Sequence, residues 1–315
     1  MNYEQLVTAV TNYTENTVPA NVMNTFIQQA EQRIYNTVQF PSLRKNVTGQ
    51  TSADNKYVSA PNDFLSVYSL AVVDGAGTYE YLLNKDVNFI RQAYPTPTDT
   101  GLPRYYALFG PTTTAGASPT ITNELSFILG PTPDSTYSVE LHYYYYPTSI
   151  IQGQLSGLGT ITGGTGYTNG TYYNVALTGG SGSDATATIV VAGGSVFSVV
   201  ITTSGCRYIV GDTLSAAAAD IGGAGSGFSV PVTAVLNEDG TSWLGDNLDA
   251  VLLYGALVEA YTYMKGEADM MKLYNDKYME ALSLAKRLGD GLERSDAYRS
   301  GQFRAPPLPQ NSGVK

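Results

Sequence analysis

The stretch WLGDNLDAVLLYGALVEAYTYM, residues 243–264, carries the most regular helical pattern in a chain that is otherwise rich in Gly, Thr, Ser and Tyr. Five of its apolar residues lie near one broad face of such a helix: Leu248, Leu252, Ala256, Val258 and Tyr261. We predict a helix with Asp246 as its N-cap and Gly266 at its end. A second helix is predicted over residues 267–288, because Gly289 and Gly291 follow it and glycine commonly ends helices.

The start of the chain has the same kind of pattern over residues 3–14 and 19–38. Pro19 suits the first position of the second helix, and apolar residues follow at helical spacing: Val22, Phe26, Ile27, Ala30, Ile34 and Val38. Helices from both chain ends can therefore form one bundle, with everything between them looped out.

Residues 44–150 change to short β-prone pieces separated by turn residues, among them KYVSAP, FLSVYSLAVVDG, RYYALFG and YSVELHYYYYP. A short helix is predicted near residues 86–94. The predicted fold class is therefore α+β.

Residues 153–236 differ again, because they hold 18 of the 33 glycines, no Lys, no Glu, one Arg and three Asp. An imperfect repeat aligns Tyr167 with Tyr208 and Gly170 with Gly211, and glycines at like places suggest turns with positive φ. The alternating ATATIVV and FSVPVTA indicate paired strands in a small β-module of two related halves. Low-complexity disorder is the alternative, although the apolar alternation disfavours it.

The predicted organisation has four parts: residues 1–152, with the N-terminal helices and a β-rich part; residues 153–236, an inserted all-β module; residues 237–288, a helical hairpin; and residues 289–315, an extended arm.

Composition excludes several classes of protein. With 17 basic and 27 acidic residues, the net charge of −10 argues against a broad phosphate-binding surface. A single cysteine, Cys206, and a single histidine, His142, exclude an internal disulfide and a Cys/His zinc site. The N-terminus has no signal-peptide pattern, and no apolar run reaches the length of a membrane span. We expect a chain made in a host cytoplasm, without a metal or a cofactor.

Enzyme motifs are weak in this sequence. His142 lies in the strand pattern VELHYYYYP, which favours a packed or interfacial residue over a general base, since no nucleophile motif accompanies it. The run GGAGSG, residues 222–227, suggests a nucleotide-binding loop only superficially, because no helix follows it. The separation of paired carboxylates cannot be read from spacing. We therefore expect no catalytic residues.

The tyrosines, 25 in all, support two interpretations. In a strand, Tyr143 to Tyr146 point alternately to two faces, so two are expected in the core and two toward a neighbour, as tyrosine suits interfaces. Ordinary strand packing explains them equally well. At helical spacing, Tyr254, Tyr261, Tyr274 and Tyr278 favour core positions.

In order along the chain, four segments resemble phage head-to-tail adaptor proteins, in particular those of short-tailed phages. They are FIQQAEQRIYNTV near the start, APNDFLSVYSL, the GPTPDSTYSVELHYYYYP segment and the Trp-led helical hairpin. The resemblance covers residues 1–150 and 241–300. Residues 153–236 depart from the adaptor pattern and are similar to Gly-rich β-repeats inserted in phage structural proteins.

The resemblance implies a non-enzymatic virion protein at the portal vertex. Such adaptors form a ring, twelve-fold in this family, between the portal protein and the tail nozzle protein. Genome DNA would pass through an acidic ring without specific binding.

The last 22 residues reverse the charge of the chain, with four basic residues and one acidic residue for a formal charge of +3, and their prolines forbid a continuing helix. A disordered terminus is one interpretation. Adaptors commonly reach onto the portal with this segment, so the resemblance implies a portal-binding arm with six contact residues: Arg294, Tyr298, Arg299, Phe303, Arg304 and Leu308.

Two other functions stay open at this point: a receptor-binding or carbohydrate-binding tail component, favoured by the Gly/Thr/Tyr-rich module, and a tail-associated hydrolase. The number of copies in the assembly distinguishes a receptor-binding tail component from an adaptor, since a fibre-like protein would be trimeric.

Overall fold

The computed structural model describes residues 1–96, 98–110, 113–114, 120–121 and 125–300, with the backbone alone for 113–114, 120–121 and 290–300. The chain divides into two compact units. Unit 1 contains residues 1–38 and 148–291, and unit 2 contains residues 39–147 together with the last helical residues from 292. Helices and strands are both present, so the fold is α+β as predicted, with strands predominating.

Six α-helices occur in the described residues: α1 (Tyr3–Thr14), α2 (Ala20–Thr37), α3 (Val87–Ala93), α4 (Trp243–Asn247), α5 (Asp249–Tyr263) and α6 (Ala268–Ser300). The first three confirm the helices predicted over residues 3–14, 19–38 and 86–94. Asn2 starts α1 with a capping box, in which its side chain accepts a hydrogen bond from the Gln5 N–H and the Gln5 side chain accepts one from the Asn2 N–H.

Two helix boundaries were predicted wrongly. Asp246 is not an N-cap, because the helix starts earlier, where the Ser242 hydroxyl accepts a hydrogen bond from the Gly245 N–H at 3.1 Å. The chain then breaks at Leu248 before α5 begins. Gly289 and Gly291 do not end the last helix, which continues to Ser300. A glycine inside a helix costs only about 1 kcal/mol, and the good helix formers around these two carry the helix through them.

In unit 1, α1 and α2 both pack against α5. The missing side chain of Gly255 allows a close approach, since a Cβ there would lie 3.1 Å from the Cβ of Ala30. The rings of Phe26 and Tyr263 lie 5.4 Å apart at their centroids. Of the face predicted for α5, Leu252 and Ala256 are fully buried, whereas the other three residues are partly exposed. The buried face of α5 therefore differs from the prediction and consists of six residues: Val251, Leu252, Gly255, Ala256, Leu257 and Ala260.

Ten strands occur in the part of unit 2 that the structure describes: β1 (Arg44–Gln50), β2 (Tyr57–Ser59), β3 (Phe64–Val73), β4 (Tyr79–Tyr81), β5 (Leu83–Asn84), β6 (Tyr105–Phe109), β7 (Thr113–Thr114), β8 (Thr120–Ile121), β9 (Ser126–Gly130) and β10 (Ser138–Tyr145). One sheet has the order β1-β10-β3-β4 and a second has the order β2-β9-β6-β5, with β7 and β8 as a separate pair. Apolar residues of both four-stranded sheets form one core, and α3 covers the outer face of the second sheet through Ile90.

The tyrosine run that ends β10 alternates between two faces as predicted, because Tyr143 and Tyr145 pack against the core of unit 2 whereas Tyr144 contacts Arg44 and Tyr68 on the opposite face. Tyr143 and Tyr144 are both buried, and Tyr146 is the most exposed of the four. The register between β10 and β3 shifts between His142 and Tyr143, and again between Tyr144 and Tyr145. Tyr144 is thus buried by its neighbours on the outward face and not in the core, so the alternation of side chains is kept despite the register shifts.

The strands of unit 1 are β11 (Gln154–Leu158), β12 (Thr162–Thr165), β13 (Gly170–Thr178), β14 (Ser183–Ala192), β15 (Ser195–Cys206), β16 (Thr213–Ala216) and β17 (Ser226–Leu236). We call residues 153–236 the β-module. Its sheet has the order β11-β17-β16-β13-β14-β15, with β12 also paired to β17. Its core contains sixteen buried residues, among them Ile189, Leu214 and Val230.

The repeated segments of the β-module form two antiparallel hairpins, β13–β14 and β16–β17, which join through a pairing of β13 with β16. ATATIVV and FSVPVTA are thus both strands, but they do not pair with each other; besides its hairpin partner, β14 pairs with β15, and β17 pairs with β11 and β12. Gly211 has the expected positive φ of 97°, whereas Gly170 lies in a strand without one.

Each half of the β-module also packs its tyrosine ring against a glycine of the other half. The buried ring of Tyr167 lies on Gly225, directly before β17, and the buried ring of Tyr208 lies on Gly182, directly before β14. A Cβ atom would fall 2.2 Å from the first ring and 2.4 Å from the second. Each tyrosine of one half therefore requires a glycine in the other.

Candidate interaction surfaces

The structure describes only three of the six residues predicted for the portal-binding arm, and only their backbone. Arg294, Tyr298 and Arg299 belong to α6, so this part of the predicted extended arm is helical, while their side chains are outside the described set. Phe303, Arg304 and Leu308 lie outside the described residues. The structure therefore moves the start of any extended arm from residue 289 to beyond Ser300.

An apolar cavity of about 250 Å³ opens between β1 and β2, which are edge strands of the two sheets in unit 2. Val47 and Val58 line its mouth, and core residues of the sandwich, including Leu70, Phe127 and Leu141, line its floor. We call this cavity the edge slot. It gives direct access to the hydrophobic core of unit 2.

The strand beside the edge slot is paired on one side only. All seven residues of β1 pair with β10, and in the described residues no strand follows β1 on its other side. Six of its residues are exposed. Free backbone N–H and C=O groups beside an apolar slot are the arrangement that can accept an extended segment as an added strand. Sequence reasoning missed this feature, because edge position depends on which strands pair.

The outward face of the first sheet is rich in tyrosine. The Arg44 guanidinium lies 4.0 Å from the ring centroid of Tyr68 and donates a hydrogen bond of 2.8 Å to the Tyr144 hydroxyl. The rings of Tyr79 and Tyr81 are stacked, with centroids 6.3 Å apart, and about half or more of each side chain is exposed. This face offers large amphipathic side chains, which suit protein contacts.

The same face places the single histidine in a polar network. The Nδ1 atom of His142 lies 3.2 Å from the Ser69 hydroxyl, and its Nε2 atom lies 3.0 Å from the Glu140 carboxylate, which also accepts a hydrogen bond from Asn46. A hydrogen bond to Glu140 raises the pKa of the Tyr79 hydroxyl. His142 is partly exposed.

This Ser–His–Glu order is reminiscent of a catalytic triad, but its surroundings differ. Ser69 lies in the middle of β3 on an open sheet face, directly opposite His142 in the β3–β10 ladder. A triad enzyme presents its serine on a sharp turn, with free N–H groups aimed at the developing oxyanion. The backbone N–H groups near Ser69 are instead part of the β3–β10 pairing. The arrangement holds the two strands in register.

Unit 1 contains a buried carboxylate. Glu31 of α2 is 4% exposed, and one of its oxygens accepts a hydrogen bond of 2.8 Å from the Ile150 N–H. Burial raises the pKa of Glu31 to about 7, although hydrogen bonds from Ser149 and Ile150 oppose the shift. The carboxylate thus ties α2 to the segment that leads from β10 toward the β-module.

The β-module is joined to α1 by an ion pair. Arg207 donates two hydrogen bonds to the two carboxylate oxygens of Glu4, at 2.6 and 3.0 Å. This bidentate pair lowers the pKa of Glu4.

Within the described ranges, no group of three or more His, Cys, Asp or Glu side chains is placed to hold a metal ion. In the same part of the chain, no helix combines the length and the apolar character needed to cross a membrane.

Comparison with known proteins gives one finding for the chain. A family model described as SU10 adaptor protein matches residues 1–159. The match spans α1, α2 and the two sheets of unit 2, and it ends one residue after β11. A search of curated proteins finds no match.

Proposed function

Because the chain belongs to the SU10 adaptor protein family, and is thus a phage structural adaptor protein found in the virion, we propose that it forms a ring between the portal and the tail nozzle of a short-tailed phage. The ring holds twelve copies, and the genome passes through it. The observation that carries the proposal is the family match over residues 1–159, which contains the N-terminal helices and the β-sandwich.

A helical bundle built from both chain ends is part of this proposal. Its support is the packing of α1 and α2 against α5. The amino group of Met1 donates a hydrogen bond to the carbonyl of Gly245, and the Tyr3 N–H donates one to the carbonyl of Gly240 at 2.8 Å. The chain thus returns to its own start after residue 240. In this arrangement the β-sandwich and the inserted Gly-rich β-module are both loops of one helical scaffold.

The proposed role is mechanical and not catalytic. The net charge of −10 on each subunit makes a ring of such subunits strongly acidic, which disfavours tight binding to the DNA that passes through. Salt screens this repulsion beyond about 10 Å, so it prevents adhesion at contact distance without closing the channel.

The portal is the partner that we assign to the C-terminal residues. Arg294, Arg299 and Arg304 grip portal carboxylates, and Phe303 fills an apolar pocket, with Tyr298 and Leu308 as further anchors. Since α6 continues to Ser300, the helix presents the first half of this set and the residues after it supply the second half. The arm orders on docking, and its electrostatic part weakens as salt rises.

Two truncations test the arm. Deletion of residues 301–315 and deletion of residues 290–315 should leave circular dichroism and thermal unfolding of the remaining fold nearly unchanged. In co-elution with purified portal, the shorter deletion should weaken binding and the longer one should abolish it. Undiminished binding by both truncated proteins would remove the arm as the principal anchor.

A further inference from the structure

A second cavity, of about 260 Å³ and open to solvent, lies in unit 1 between α2 and the β-module. The α2 side of its wall consists of Asn21, Asn24, Thr25 and Gln28. These positions follow the i, i+3, i+4, i+7 spacing, so they form one stripe along the helix. The stripe has no apolar and no charged residue, in contrast to the apolar stripe that packs against α5.

The β-module supplies the opposite wall. Gln154 comes from β11, Asp184 from β14, and residues 202–205 from the end of β15. These four consecutive residues are Thr, Thr, Ser and Gly. The whole wall is therefore made of carboxamides, hydroxyls and backbone, with one carboxylate.

Much of the hydrogen-bonding capacity around the cavity is not used within the protein. Asn24 is 8% exposed, and its Oδ1 accepts a hydrogen bond of 2.7 Å from the Tyr3 hydroxyl, which leaves its two amide N–H groups for a ligand. Among the described residues, the side-chain amides of Asn21, Gln28 and Gln154 have no hydrogen-bond partner within the protein and are open to solvent or a ligand. Four carboxamides thus meet at one cavity with donors and acceptors to spare.

The composition of the wall selects a class of ligand. No Lys, Arg or His lines the cavity, so an anion would find no counter-charge. A single carboxylate is too little for a divalent cation. An apolar ligand would leave the amides and hydroxyls buried without partners, which costs free energy for each group. A neutral molecule with many hydroxyl groups satisfies all of these conditions.

The volume of the cavity also favours a small ligand with hydroxyl groups. The cavity is smaller than the roughly 300 Å³ at the lower end of sites for drug-sized ligands, which suits one sugar ring and not an extended chain. We propose that this cavity binds a neutral sugar unit, either free or at the end of a surface glycan. The amides of Asn24 and Gln28 donate to its hydroxyl oxygens, and Asp184 accepts from its hydroxyl hydrogens. All residues of the site belong to one chain, so the site is complete without ring formation.

Ligand-observed NMR with the full-length protein tests the site. The probes are glucose, galactose, mannose and N-acetylglucosamine, followed by oligosaccharides that end in whichever sugar binds. At least one neutral sugar should give a saturable signal, and glucuronate and sulfate should give none. If an oligosaccharide binds better than its terminal sugar, the source is a glycan; if the free sugar binds equally well, a monosaccharide suffices.

Matched variants locate the binding. Gln28→Ala removes an exposed amide of the stripe, and Gln29→Ala removes the neighbouring exposed amide that does not line the cavity. The first should weaken sugar binding at least tenfold and the second should leave it unchanged, both with wild-type circular dichroism. Asn24→Ala should abolish binding. Absence of a saturable signal for every sugar, or equal binding by the Gln28 and Gln29 variants, overturns the proposal.

Discussion

The helices of unit 1 and the β-module are stabilised in opposite ways. Where α2 meets α5, large apolar side chains such as Phe26 and Leu252 fill the space and exclude water. In the β-module, Gly182 and Gly225 leave space free so that two tyrosine rings can lie directly on the backbone. The helical region therefore depends on large side chains, and the β-module depends on positions without a side chain. Removing side-chain atoms should destabilise the first region, and adding them should destabilise the second.

The largest expected effect is the truncation of a helical core residue. Phe26→Ala or Leu252→Ala should lower the free energy of unfolding by about 2–5 kcal/mol, because each removes a buried side chain and leaves a cavity. Chemical denaturation measures the loss. Lys272→Ala, at an exposed position of α6, is the control and should change little. If the control and the core variants lost the same stability, the assigned faces would be wrong.

The next largest effect comes from adding a methyl group in the β-module. Gly182→Ala and Gly225→Ala should each lower the free energy of unfolding by about 1–3 kcal/mol, because the new Cβ collides with a buried tyrosine ring. The two losses should be similar, since the positions are equivalent in the repeat. Gly170→Ala is the control, because its Cβ would meet only ordinary contacts from 3.5 Å. Tolerance of alanine at both tested positions would refute the reciprocal packing.

A smaller effect, dependent on pH, is expected at Glu31. Its folded-state pKa of about 7 exceeds the ordinary value of 4.5, so between these values the folded protein holds a proton that the unfolded chain has lost. The contribution of Glu31 to stability therefore falls as pH rises from 4.5 to 7, and the full cost is present above 7. Glu31→Gln keeps an oxygen for the Ile150 N–H but does not titrate. Its free energy of unfolding relative to wild type should therefore increase by about 1–2 kcal/mol as the pH rises from 5 to 8.

Denaturation curves at several pH values check this prediction, with Glu267→Gln, at an exposed position, as the matched change of charge. Contributions from other titrating groups cancel in the difference between variant and wild type. A stability difference for Glu31→Gln that stays constant from pH 5 to pH 8 would contradict the role given to burial.

The smallest effect concerns the link between the two regions. Glu4 and Arg207 are both partly exposed, at 52% and 37% of their side chains, so their ion pair should be worth about 0.2–1 kcal/mol. A double-mutant cycle with Glu4→Gln and Arg207→Gln measures the coupling, which should shrink in high salt. A coupling well above this range would mean that the β-module and α1 are joined more rigidly than the exposed pair suggests.

The helical region was largely predictable from sequence, because a buried face imposes a period that local spacing reveals. Five of the six apolar residues predicted for α2 are buried. The failures lie where one residue type has two roles: Gly289 can end a helix or be carried within one, and Asp246 had to compete with Ser242 for the cap.

The candidate sites were less predictable, because they depend on pairing between distant segments. The repeat indicated that Tyr167 and Tyr208 are equivalent, yet nothing in the sequence shows that each ring lies on a glycine of the other half. The edge slot requires knowledge of which strands lie at the edges of two sheets. The polar stripe of α2 could have been found at helical spacing, but its opposite wall could not.

The most direct test of the proposed function is the number of copies bound per portal. Mass photometry of the purified chain mixed with its portal ring should show one complex, heavier than the portal by twelve chains of 33.6 kDa, or about 400 kDa. Class averages from electron microscopy should show the same twelve-fold ring at the tail side of the portal. A detergent-resistant trimer that leaves the mass of the portal unchanged would contradict the adaptor ring.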